Sequence, residues 1–233
     1  MDDGVALRPL VRAVRQELAA LGDPAKAPDM QRYMRSELPY RGVGTPVWRP
    51  LARRLASAYP CADLPTLLAT VRELWHGARY REERYVALQL TGERRYAAWQ
   101  KPALLPFYRE LIVTGAWWDL VDTIAPHRVG PLLRTYPAEV TPVVRAWADG
   151  EDTWLRRSAI ICQLGSKAGT DTELLTHAVE RAIGEREFFL RKGIGWALRE
   201  YSKTDPVWVA AFVAAHPGLS GLSRREASKY LPA

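Results

Sequence analysis

The chain has 233 residues, 48% hydrophobic and 25% charged, with a net charge of +7. That length buries a substantial core, and the composition is that of a globular protein rather than a disordered or fibrous one. No apolar run reaches transmembrane length, and Met1-Asp2-Asp3-Gly4 lacks the basic and apolar segments of a signal peptide, so an intracellular protein without a membrane partner is expected.

Arginine supplies most of the positive charge. Guanidinium groups bind phosphate bidentately, which suits a nucleic-acid partner, but a high-GC genome also enriches arginine. Cys61 and Cys162 have no CxxC spacing and read as buried apolar residues.

Taken in order, nearly every segment has the 3.6-residue spacing of a helix. Val5 to Leu21 carries Leu7, Leu10, Val11, Val14, Leu18 and Leu21, and Gly22-Asp23-Pro24 stops it. Met30 to Leu38 is a short segment before the turn Pro39 to Gly44. Thr45-Pro46 reads as N-cap and first helical residue of a helix to about Ala58. Asp63 and Pro65 open the next, through Trp75. Arg81 to Leu90 follows, with Glu82, Glu83 and Arg84 expected in solvent.

Pro102 starts an apolar helix that Gly115 ends, and Trp117 to Ile124 comes at once. Two short helices straddle Pro131 and Pro142. Asp152 or Thr153 caps a helix holding Trp154, Arg156, Arg157 and Ile160. After the loop Gly165 to Thr170, Asp171 or Thr172 opens a helix to about Ile183, and Glu185 to Tyr201 is apolar on one side. Asp205-Pro206 starts another, and Ser223 caps the last.

No alternating strand pattern competes. About a dozen helices in hairpins recurring roughly every forty residues predict an all-α fold. Its form is a HEAT-like repeat α-solenoid of stacked helical hairpins with a concave basic face, a single domain over 1–233. No heptad seam appears, so a monomer is expected.

The chemistry-bearing stretch is Trp117-Trp118-Asp119-Leu120-Val121-Asp122. In a helix Trp118 and Asp122 share a face, while Trp117 matches Leu120 and Val121 on a buried side. Two readings stand: an aromatic surface with a carboxylate one turn above it, or two core indoles with Asp122 capping the next helix. Trp154 and Arg157, three apart, also share a face. Gly193 and Gly195 weaken their helix, which predicts close approach of a neighbouring helix or a ligand backbone. Arg191 and Lys192 before them read equally as solvated charge or phosphate contacts. His76, His127, His177 and His216 are scattered without metal-ligand spacing, and no GxGxxG, P-loop or GxSxG motif occurs, so no metal or cofactor is expected.

The sequence resembles the AlkD family of bacterial DNA alkylation-repair glycosylases, built from HEAT-like repeats. The resemblance is carried by Tyr33-Met34-Arg35, by WWDxVD at 117–122, by Trp154 to Ile160, by Phe188 to Tyr201 with its IGWALREY, and by the closing Leu222-Ser223-Arg224-Arg225-Glu226-Ala227. It spans nearly the whole chain in order.

The resemblance implies a monofunctional glycosylase that hydrolyses the N-glycosidic bond of cationic N3- or N7-alkylated purines in duplex DNA, leaving the base unflipped. It would work in the bacterial cytoplasm at the nucleoid. Asp122 looks like the catalytic aspartate, and Trp118 and Trp196 like the two walls of the nucleotide site. Arg157 looks like an arginine holding backbone phosphate, and Tyr33 like a tyrosine completing the cleft. The alternative is a non-catalytic HEAT-repeat module binding DNA or protein.

Overall fold

A computed structural model describes residues 4–231. They are helical almost throughout, with no strand among the described residues. The chain divides into two compact units, one ending at Trp99 and the other beginning at Gln100.

The first unit holds α1 (Arg8–Ala20), α2 (Ala27–Met34), α3 (Thr45–Ala58), α4 (Leu64–His76) and α5 (Arg81–Thr91), then a 3-10 segment, Arg94–Trp99. Helices α1, α3, α4 and α5 pack on one another around Leu10, Val14, Leu18, Leu55, Val71, Leu74 and Trp75, all 1% exposed or less. Asp63 caps α4, its carboxylate accepting from Thr66 N at 2.8 Å. Such a cap contributes about 1 kcal/mol. Gly44, rather than Thr45, occupies the N-cap of α3.

Two expectations fail at the start of α5. Glu82 and Glu83 are fully buried, not solvated. The turn from Pro39 to Gly44 explains the first, because its backbone donors need an acceptor, and a guanidinium from α1 explains the second. Glu82 accepts from Arg41 N at 2.9 Å and Val43 N at 3.1 Å. Glu83 accepts from Arg15 Nε at 3.0 Å. Gly42 makes the turn possible: its φ is +81°, and a Cβ there would lie 2.1 Å from the Asp23 carbonyl oxygen.

The second unit opens with a 3-10 turn, Pro102–Leu104, then α6 (Leu105–Gly115) and α7 (Trp118–Ile124). A π-helical turn, Ala125–Val129, leads into α8 (Gly130–Thr135). The widening has a cause in sequence: Pro126, four residues after Asp122, has no N–H to offer the Asp122 carbonyl. Then come α9 (Pro137–Asp149), α10 (Thr153–Ile161), α11 (Thr172–Glu180), α12 (Phe188–Ser202), α13 (Pro206–Ala215) and α14 (Gly221–Ala227).

Helix α10 packs against α6, α7, α9, α11 and α12, so it is the member on which the unit is assembled. Its N-terminus is fixed by Asp152, whose carboxylate accepts from Trp154 N at 2.9 Å and Leu155 N at 2.8 Å. Asp171 caps α11 and Asp205 caps α13 in the same way. Ser220, not Ser223, caps α14, accepting from Ser223 N at 3.0 Å. The core includes Tyr108, Leu111, Leu120, Val121, Ile124, Val140, Val144, Ile161, Leu174 and Leu198, none with measurable exposure. Cys162 is fully buried there, and burial pushes its thiol pKa up to about 12.

Candidate functional site

Asp122 lies in the last turn of α7, one turn beyond Trp118, with Leu120 and Val121 turned into the core. Across from it, Arg157 projects from α10. The guanidinium grips the carboxylate with both prongs: Nε donates to Oδ1 at 2.8 Å and Nη2 to Oδ2 at 2.8 Å. Its third arm, Nη1, donates to the Phe189 carbonyl at the start of α12. The pair therefore ties α7, α10 and α12 together. Asp122 does not cap the next helix, as one sequence reading had it.

Exposure is uneven across the pair. The Arg157 side chain is 3% exposed, and that of Asp122 is 17% exposed. The Asp122 side chain thus keeps part of its surface exposed, while the guanidinium behind it is sealed. Asp122 titrates above the ordinary aspartate range. Burial is the largest cause, hydrogen bonds and charge from Arg157 pull the other way, and the Asp119 carboxylate adds a small upward push.

An aromatic cluster gathers around Phe189, whose carbonyl Arg157 engages. Trp117 meets the Phe189 ring edge-on with centroids 5.2 Å apart, Trp154 lies 5.0 Å from Phe189, and Trp117 and Trp154 are 5.9 Å apart. The Arg157 guanidinium carbon sits 5.9 Å from the Phe189 ring centre. With its side chain 3% exposed, Arg157 holds Asp122 in surroundings that strengthen the hydrogen bonds.

Gly193 leaves the space that Arg157 fills. A Cβ on Gly193 would lie 3.1 Å from Nη1 and 3.8 Å from Cγ of Arg157. Gly195 faces α14 instead, where a Cβ would meet Cβ of Glu226 at 2.6 Å. Both glycines therefore answer to close packing within the unit, one against a side chain and one against a helix.

Of the five residues singled out in sequence, Asp122 and Arg157 are in direct contact. Trp118 shares α7 with Asp122 and is half-buried. Trp196 is half-buried on α12, one turn beyond Lys192 and three residues after Gly193. Tyr33 belongs to the first unit, in the last turn of α2, and is 76% exposed. The sequence reading did not foresee the Phe189 carbonyl as an acceptor or the Trp117 and Trp154 rings beside Phe189. The Trp154/Arg157 spacing was the available signal for the second of these.

An all-helical chain with a partly exposed carboxylate, held by a sealed guanidinium and one turn beyond an indole, is of a class able to stabilise a positive charge at that carboxylate. Comparison with known proteins gives that class a family. The model of the DNA alkylation repair enzyme family matches residues 14–231, and the chain belongs to that family. A solved structure described as a predicted DNA alkylation repair enzyme from Enterococcus faecalis is similar, at 31% identity and a TM-score of 0.79. The match covers 90% of this chain and 96% of that one. No curated protein matched the sequence. The fold is thus the all-α helical-repeat fold of DNA alkylation repair enzymes, DNA repair is the role that membership gives it, and DNA is the substrate that role implies.

Proposed function

We propose that this enzyme is a monofunctional glycosylase that releases N3- and N7-alkylated purines from duplex DNA. The observation that carries the reading is the Asp122 carboxylate, fixed by both prongs of Arg157 on a side chain that stays partly exposed.

Alkylation at these ring nitrogens makes the base cationic. Its bond to C1′ then breaks easily, because the base leaves as a neutral molecule. The sugar carries the positive charge in the transition state. A preorganised carboxylate beside C1′ stabilises that charge and orients the water that adds there. The C1′–N bond breaks with its electron pair going to the base, water oxygen bonds to C1′, and one proton passes to solvent.

Trp118 and Trp196 serve as the aromatic walls, attracting the developing cation through their faces. Neither reads a base edge, which supports selection by charge and backbone geometry with the base left in the duplex. Tyr33 and surface arginines contact the backbone. Arg157 acts first on Asp122: three of its five N–H groups are already used, so a phosphate contact would have to come from the remaining two or from opening the pair.

The test is release of 7-methylguanine from duplex DNA under single-turnover conditions, with 3-methyladenine DNA in parallel and spontaneous depurination subtracted. Release above background on either substrate supports the reading. Duplex binding without release of any cationic purine sinks it and leaves a binding module.

A further inference from the structure

The closing Ser223-Arg224-Arg225-Glu226 segment has no part in the chemistry above, yet its helix packs more extensively on α12 than any other helix pair of the second unit packs. On α12, Lys192, Gly195 and Arg199 form one stripe, spaced i, i+3, i+7. Helix α14 lies along it. Glu226 accepts from Lys192 Nζ through Oε1 at 2.6 Å, and from Arg199 Nη1 through Oε2. Between those two cations Gly195 lets α14 approach: a Cβ there would also sit 3.2 Å from the Ser223 backbone. Ser223, 1% exposed, donates from Oγ to the Arg191 carbonyl at 2.9 Å.

We propose that Glu226 is a positioning residue, which grips α12 one turn on either side of Gly195 and so fixes the direction in which Trp196 points. The proposal rests on the reading that Trp196 is a wall of the nucleotide site. Two ion pairs to one carboxylate, straddling a close contact, resist a roll of α12 about its axis more than one pair does. Trp196 follows Gly195 directly, about 100° round the helix from it. A roll of about 10° moves a group at the side-chain rim of the helix by roughly 1 Å. A displacement of that size costs up to about a hundredfold in rate where groups must align.

The same pairing occupies Lys192 and Arg199. Glu226 is held below the ordinary glutamate range, first by its hydrogen bond from Lys192, then by the charges of Arg199, Lys192 and Lys229. Losing the carboxylate therefore frees two cations beside the proposed DNA site. Affinity for duplex should not weaken, whereas the reaction should.

The experiment uses the full chain labelled with 5-fluorotryptophan, the Trp196 fluorine line being assigned with Trp196→Phe. In Glu226→Gln the Trp196 line is expected to shift or broaden while the other tryptophan lines stay. The single-turnover rate is expected to fall about tenfold with duplex Kd unchanged or tighter. In a Trp196→Ala background, Glu226→Gln should cost nothing more, because the two act through one group. A folded Glu226→Gln variant with an unmoved Trp196 line overturns the proposal, and so does a rate loss that adds in full to that of Trp196→Ala. Should Glu226→Gln fail to fold, Lys192→Met and Arg199→Met each remove one arm, and an unmoved Trp196 line in both overturns it. Should the wild type release no base, the glycosylase reading fails and the fluorine spectra alone decide whether Glu226 aims Trp196.

Discussion

The Cβ that Gly193 lacks would stand 3.1 Å from Nη1 of Arg157. A glycine on one helix thus fits an arginine on another, and that arginine holds the carboxylate on a third. Gly193→Ala gains about 1 kcal/mol of helix propensity, but it pushes a guanidinium already pinned by Asp122 and Phe189. Stability is expected to stay within about 1 kcal/mol of wild type in urea unfolding, while base release drops severalfold. Gly195→Ala behaves differently, because backbone of α14 stands in the way. It should lose about 1–3 kcal/mol, the usual cost of overpacking.

Arg157→Lys keeps the charge and loses the fork. A single ammonium cannot hold both carboxylate oxygens and the Phe189 carbonyl in one plane. The rate of base release is expected to fall by about 10- to 100-fold, with duplex Kd and its salt slope nearly unchanged. A weaker Kd with a shallower salt slope, at an intact rate, would instead mark Arg157 as a phosphate contact.

The pH profile follows from the direction of the Asp122 shift. The carboxylate must be ionised to stabilise positive charge, so activity rises with pH as it loses its proton. Burial moves that rise above the pH at which an ordinary aspartate titrates. Arg157 opposes burial, so Arg157→Met should move the acid limb to still higher pH. Stability runs the other way: with the folded pKa raised, the folded state binds the proton more tightly than the unfolded one. This group's contribution therefore declines as pH rises from the ordinary aspartate value through the raised one. Single-turnover release by wild type and Arg157→Met across acid pH checks the first sign, and urea unfolding of the same proteins checks the second.

How much of this was legible in the sequence depends on the range of the interaction. Periodicity and caps are local, so the helices could be placed to within a few residues and Asp63 and Asp205 read as helix starts, whereas Thr45 and Ser223 were each taken as a cap that a nearby residue supplies. The Trp118/Asp122 face was also local, because both residues lie on one helix. Glu82 and Glu83 were misplaced because their partners, Arg41, Val43 and Arg15, are far away in the chain. A pair of glutamates at a helix start looks the same whether it faces water or a turn that needs acceptors. The Asp122–Arg157 contact spans 35 residues, and nothing in spacing predicts it. Gly193 and Gly195 did announce close packing, without naming what approached.

Glu82 supplies a test confined to the first unit. Glu82→Ala leaves the Arg41 and Val43 amides without their acceptor. A loss of about 1–3 kcal/mol is expected in urea unfolding. Glu82→Gln should lose less, since its carbonyl oxygen still accepts. Equal stability of all three proteins would contradict the role given to this carboxylate.

The most direct measurement of the central claim is single-turnover release of 7-methylguanine from duplex DNA by wild type and Asp122→Asn. Asparagine matches the shape, leaves Arg157 without its counter-charge and cannot offset positive charge at C1′. Both proteins should be folded, shown by their unfolding curves. The account predicts release by wild type above spontaneous depurination and a fall of at least about a hundredfold in the variant, with duplex binding retained. Undiminished release by a folded Asp122→Asn protein would contradict it.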